Sequence, residues 1–160
     1  MEQIIPIEEC AKQRLQVLVY AYTLLVKNLM EEGVAREKVK SASDKVWTIL
    51  GAQAAEQLKP ILGETINIEA LQQAGAIAEN VHGIEVNTKI TENELQSEFI
   101  KCPWQDAWIA LDVPKDWRLC ASGHLAFAET MFNGLNSKAT FKMTKYMPAG
   151  DQICESIGAI

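Results

Sequence analysis

Several common signals are missing from this chain. No two of its four cysteines, Cys10, Cys102, Cys120 and Cys154, stand in Cys-x-x-Cys spacing. That argues against a zinc ribbon or a thioredoxin-type centre. Without an export signal, structural disulfides are not expected either. The opening Met-Glu-Gln-Ile-Ile-Pro has no basic run and no small-residue cleavage site. The apolar stretch from Val17 to Met30 is broken by Thr23, Lys27 and Asn28, so no segment suits a bilayer. These absences predict a soluble, cytoplasmic protein with no membrane partner. Basic residues are in the minority: 15 Lys and Arg against 21 Asp and Glu, a net charge of -6. Lys138, Lys142 and Lys145 are too loosely spaced for a phosphate-binding patch, so no nucleic-acid partner is expected.

What is present describes an ordinary globular chain. Its 160 residues suit one domain, with 48% hydrophobic residues available for a core. Apolar positions at three- and four-residue steps predict a helix over Glu8–Glu32, stopped at Gly33. A second helix is predicted from Arg36 to Leu58, ended by Pro60. A third runs over Ile68–Asn80 with Asn67 as its N-cap. After Gly83 the period falls to two, and Ile84–Ile90 and Glu94–Lys101 read as strands. Helices return over Trp104–Leu111 and Trp117–Gly134, the latter capped by Asp116. Thr140–Met147 and Gln152–Ile157 are strands around the turn Met147-Pro148-Ala149-Gly150-Asp151. The reading is a single α+β domain over 1–160. Helices in 1–80 pack on a four-stranded antiparallel sheet in 83–160, with helices inserted between two hairpins.

Candidate chemistry gathers in the last sixty residues. Cys102-Pro103-Trp104-Gln105-Asp106-Ala107-Trp108 is one feature and Cys120-Ala121-Ser122-Gly123-His124 another. The second puts a thiol and an imidazole one helical turn apart. Gly150-Asp151-Gln152-Ile153-Cys154 is the third. Trp104, Trp108 and Trp117 lie between Cys102 and Cys120 and suit the apolar wall of a small-molecule pocket. Each has a plainer reading: cysteine as a small buried hydrophobe, tryptophan as core, histidine as a satisfied or surface group. On the fifth helix, Cys120, His124, Phe127 and Met131 form the candidate ligand face. Leu125, Ala128, Phe132 and Leu135 form the core face. The set Cys102, Cys120, His124, Cys154 has the ligand types of tetrahedral zinc, though not the spacing of a compact finger.

The run Gly134 to Cys154, with Cys102-Pro103-Trp104 and Cys120 upstream, resembles the L-2-amino-thiazoline-4-carboxylic acid hydrolase family. More distantly it is similar to the 4-vinyl reductase small-molecule-binding domain. The resemblance implies hydrolytic opening of a cyclic thiazoline carboxylate at the carbon between ring nitrogen and sulfur. Cys120 and His124 would then act as nucleophile and base, with Asp106 or Asp116 orienting or protonating. Arg118 would hold the substrate carboxylate. Cys102, Cys154, Trp104, Trp108 and Trp117 would complete the substrate site. Zinc-binding relatives of the wider group carry ligands on the strand before Gly150, where this chain has Met143 and Tyr146. No cofactor is therefore expected, zinc being the alternative. The more distant resemblance implies a non-catalytic ligand-binding module instead. The expected partner is a small molecule, with a homodimer left open.

Overall fold

The computed structural model describes residues 6–160. The N-terminal pentapeptide used above to argue against export lies outside them. Five helices and four strands follow in the order α1 (Ile7–Glu31), α2 (Arg36–Leu62), α3 (Ile68–Val81), β1 (Glu85–Ile90), β2 (Glu94–Lys101), α4 (Pro103–Ala110), α5 (Cys120–Leu135), β3 (Thr140–Lys145) and β4 (Cys154–Ala159). Short 3-10 turns at Lys115–Trp117 and Met147–Ala149 precede α5 and β4. The fold class is α+β, as the sequence implies.

Local chemistry accounts for most boundaries. Gly33 ends α1 at φ 81°, a conformation glycine adopts without a Cβ clash. The Asn67 side chain accepts from the Ala70 N–H at 3.0 Å and caps α3. Two boundaries depart from expectation. Pro60 lies inside α2, which continues to Leu62. Proline removes only its own N–H, and one turn from the end that loss is confined to a single hydrogen bond. The fifth helix begins at Cys120 rather than Trp117. Lys115–Trp117 forms a 3-10 turn and Leu119 stands at the N-cap position, so Asp116 caps nothing in α5. The strands also shift by a few residues: β3 ends at Lys145 and β4 starts at Cys154.

The strands form one antiparallel sheet in the order β1-β2-β4-β3. Both expected hairpins are present, and β4 returns to lie between β2 and β3. Leu95, Ser97 and Phe99 alternate inward on β2, with Ser156 and Gly158 inward on β4. Against this face pack α2, α3 and α5, around Leu58, Leu71, Met131 and Phe132. The α2–α5 approach is close because position 51 is glycine: a Cβ there would run into the Phe127 carbonyl. A separate core of Val26, Met30, Val39, Trp108, Val113 and Leu119 joins α1 and α2 to the α4–α5 connection. A third cluster, of Val19, Ile84, Phe99, Trp104 and Ala107, borders a cavity.

Candidate functional site

α4 starts immediately after β2, with Pro103 at its first position, where a missing N–H costs nothing. That junction places Cys102 just beyond the end of β2, an inner strand, and Trp104 and Gln105 on the buried side of α4. α5 brings Cys120, His124 and Phe127 one turn apart along one side. The β3–β4 connection adds Met143, Met147 and Cys154. The N-terminal half adds Tyr22 from α1, Trp47 from α2, and His82 and Ile84 from the α3–β1 junction. The space open to the centre of a water-sized molecule inside is about 60 Å³. That is room for a few waters or a compact ligand.

The wall is aromatic and sulfur-rich. Tyr22 stands edge-on to Trp47, Trp104 and Trp108, with centroids 5.9, 5.8 and 6.1 Å away. Its hydroxyl is engaged by Ser43 Oγ at 2.6 Å. His82 meets Phe127 edge-on at 4.9 Å. His124 meets Phe99 at 5.1 Å and Phe141 at 5.6 Å in the same manner. Among the described residues, no Asp, Glu, Lys or Arg lines the cavity. Two polar atoms of its lining residues, His124 Nε2 and Gln105 Oε1, are buried without a hydrogen-bond partner.

Burial sets the protonation states. It pushes the Cys120 thiol up to about 12, with the Cys102 and Cys154 sulfurs adding in the same direction. It raises Cys102 to about 11 and raises Cys154 as well. Cys120 stands at the N-terminus of α5, a position that ordinarily favours thiolate, but desolvation dominates. Burial lowers His124 to about 4, with His82 a secondary cause, and lowers His82 too. At neutral pH the site therefore holds three thiols and two uncharged imidazoles. It is a neutral cavity.

The sequence-nominated residues divide. Cys102, Trp104, Cys120, His124 and Cys154 line the cavity. Asp106 is exposed on the opposite side of α4. Trp108 is wholly buried in the neighbouring core, its Nε1 without a partner, and Trp117 packs beside it. Arg118 donates its Nε to the Val113 carbonyl at 3.0 Å, outside the cavity lining. Met131, expected on the ligand face of α5, belongs to the main core. Nor is the site confined to the last sixty residues. The sequence gives no role to Tyr22, Trp47 or His82, nor to Gln105 within the Cys102–Trp108 feature, because each also satisfies an ordinary helix or junction pattern. Among the described residues, no group of three or more His, Cys, Asp or Glu side chains is arranged to hold a metal ion. No helix there is long and apolar enough to cross a membrane.

The helices and sheet of this α+β fold thus border a neutral, aromatic and sulfur-rich cavity. The chain matches the model of the L-2-amino-thiazoline-4-carboxylic acid hydrolase family over residues 12–157 and belongs to that family. No curated protein matches it in sequence. Among solved structures it is similar to trafficking protein particle complex subunit 3 from Naegleria fowleri, covalently bound to palmitic acid. That match has a TM-score of 0.67 and 16% identity, over 92% of this chain and 95% of that one. It is also similar to the phenol-responsive sensory domain of the transcription activator PoxR, with phenol. Here the TM-score is 0.63 and the identity 14%, over 88% of this chain and 73% of that one. At such identities the likeness is one of fold.

Proposed function

We propose that the cavity binds a small, uncharged, largely aromatic molecule carrying one hydroxyl or amide group. One observation carries this reading. His124 and Gln105 line the same aromatic cavity, and their buried atoms Nε2 and Oε1 have no hydrogen-bond partner. An unsatisfied buried polar atom costs about 1–3 kcal/mol. A ligand hydroxyl can donate to the glutamine oxygen or bond to the imidazole nitrogen and remove part of that cost. An anion would enter without a cation to meet it, which is unfavourable in a desolvated site. The phenol bound by the PoxR domain fits the same chemical description. Calorimetric titration with phenol and with benzoate tests the reading. Phenol should bind at least about tenfold more tightly than benzoate, the equivalent of ~1.4 kcal/mol. Equal affinity, or preference for benzoate, would contradict it.

A hydrolase reading has its own support: family membership, and a thiol and imidazole one turn apart in the cavity. Uncharged His124 would take a proton from water as it adds to the carbon between ring nitrogen and sulfur. The imidazole would pass that proton to the ring nitrogen; the C–S bond would then break as the added hydroxyl becomes the carbonyl, its proton going to the leaving sulfur to give an N-carbamoyl cysteine. Its weaker point is the substrate carboxylate, since Arg118 is engaged elsewhere and no cation lines the cavity. Thiol release from 2-amino-thiazoline-4-carboxylate, abolished in His124→Phe, would favour this reading over pure binding.

A further inference from the structure

The outer face of α1 is apolar along most of its length. Val17, Leu18, Leu24, Leu25 and Leu29 are all exposed, Val17 at 68% and Leu25 at 58%. Ala21 and Asn28 lie in the same stripe and are also exposed. The inward face is a different set, Val19, Thr23, Val26 and Met30. The helix is therefore apolar on both sides, and its outer leucines are in excess of what the core requires. Val46, Ile49 and Leu50 of α2 are exposed as well. An unpartnered apolar helix face like that of α1 marks an interaction site.

Charge at the ends of the stripe narrows the choice of partner. Arg14 interrupts it toward the N-terminus, with Ile7 exposed one stretch beyond, and Glu32 closes it at the C-terminal end; both charges are exposed. Among the described residues neither takes part in an ion pair. They stand about 27 Å apart along the helix at 1.5 Å per residue. Opposite charges at the two ends of an apolar stripe are what an antiparallel helix pair of identical chains needs. A two-fold axis at the level of Thr23 sets Arg14 opposite Glu32 of the second copy, twice. The same axis sets Val17 opposite Leu29, Leu18 opposite Asn28, and small Ala21 opposite Leu25. A bilayer would gain nothing from this arrangement, and a net charge of -6 would repel an anionic one.

We infer that the protein forms a two-fold homodimer through the outer faces of α1, packed antiparallel and held in register by reciprocal Arg14–Glu32 pairs. The interface is isologous, so one surface serves both copies. It lies on the opposite side of α1 from Val19 and Thr23 and leaves the cavity intact.

Sedimentation velocity on the full chain tests this, with circular dichroism to show that variants fold. Wild type should sediment as a dimer at micromolar concentration. Leu25→Asp should shift the equilibrium to monomer without altering helical content, because Leu25 makes no core contact. Arg14→Glu and Glu32→Arg should each weaken dimerisation about tenfold, since each puts two like-charge pairs in the interface. The double variant Arg14→Glu/Glu32→Arg should restore wild-type dimerisation. A wild-type monomer across the concentration range would overturn the inference, as would binding of that monomer to phosphatidylcholine vesicles. A double variant no better than the singles would overturn the antiparallel register.

Discussion

The indole of Trp47 occupies the space that any side chain at Gly123 would need: a Cβ there would lie 2.6 Å from Trp47 Cδ1. This pairing seats Trp47 from α2 against α5, with its ring 5.2 Å from that of Trp104. The absence of a side chain on α5 is thus what lets an N-terminal helix furnish a wall of the cavity. Gly123→Ala should force the indole inward. We expect about 1–3 kcal/mol of lost stability from overpacking, measured by urea unfolding. A change in tryptophan fluorescence and weaker ligand binding should accompany it. Unchanged stability and fluorescence would show that the indole has room to retreat.

Two buried groups titrate in opposite directions. Burial holds His124 at about 4, below the usual 6.5. The unfolded chain therefore binds the extra proton between those values, and this group adds stability as pH rises from 4 to 6.5. Burial raises Glu79 from 4.5 to about 7. Here the folded state binds the extra proton, and stability is lost as pH rises from 4.5 to 7. Each effect is worth roughly 3 kcal/mol at its limit, and over the shared window they oppose one another. His124→Phe should leave the Glu79 slope opposed only by His82, so that stability rises less, or falls, between pH 4.5 and 7. Glu79→Gln should expose the opposite slope, reinforced by His82, whose buried imidazole is lowered too. Urea midpoints measured across this range check both signs; identical slopes in the two variants would contradict the assignment.

The thiols should be sluggish. With Cys120 at about 12, its thiolate fraction at pH 7.5 is about a thousandfold below that of free cysteine. Iodoacetamide followed by peptide mass mapping should leave Cys120 and Cys102 largely unmodified in the folded protein, while unfolding in urea should make them react. Rapid labelling of Cys120 in the native state would indicate an activated nucleophile and favour the hydrolase reading.

Much of the architecture was legible because local pattern and tertiary role agree. The alternation from Ile84 to Ile90 became a hairpin strand, and Asn67 capped α3 through its own side chain. Cys102, Trp104, Cys120, His124 and Cys154 came together because the chain runs from the end of β2 through α4 and α5 and back to the start of β4, the strand beside β2. Trp108 was misplaced because a helix turns 100° per residue: four positions from Trp104 it shares a face but reaches a neighbouring core. Asp106, two positions on, points away altogether. Tyr22, Trp47 and His82 were missed because a cavity is made by non-local packing. Nothing near Trp47 in the chain signals that Gly123, far along it, leaves it a seat.

The account turns on His124 Nε2 and Gln105 Oε1 as the polar anchors of an otherwise apolar cavity. The most direct test is to titrate wild type, His124→Phe and Gln105→Leu with phenol and with toluene, which carries a methyl in place of the hydroxyl. Wild type should prefer phenol by about tenfold, as one buried hydrogen bond warrants. Both variants should lose that preference while still binding toluene. Undiminished preference for phenol in both variants, or failure of wild type to distinguish the two, would contradict it.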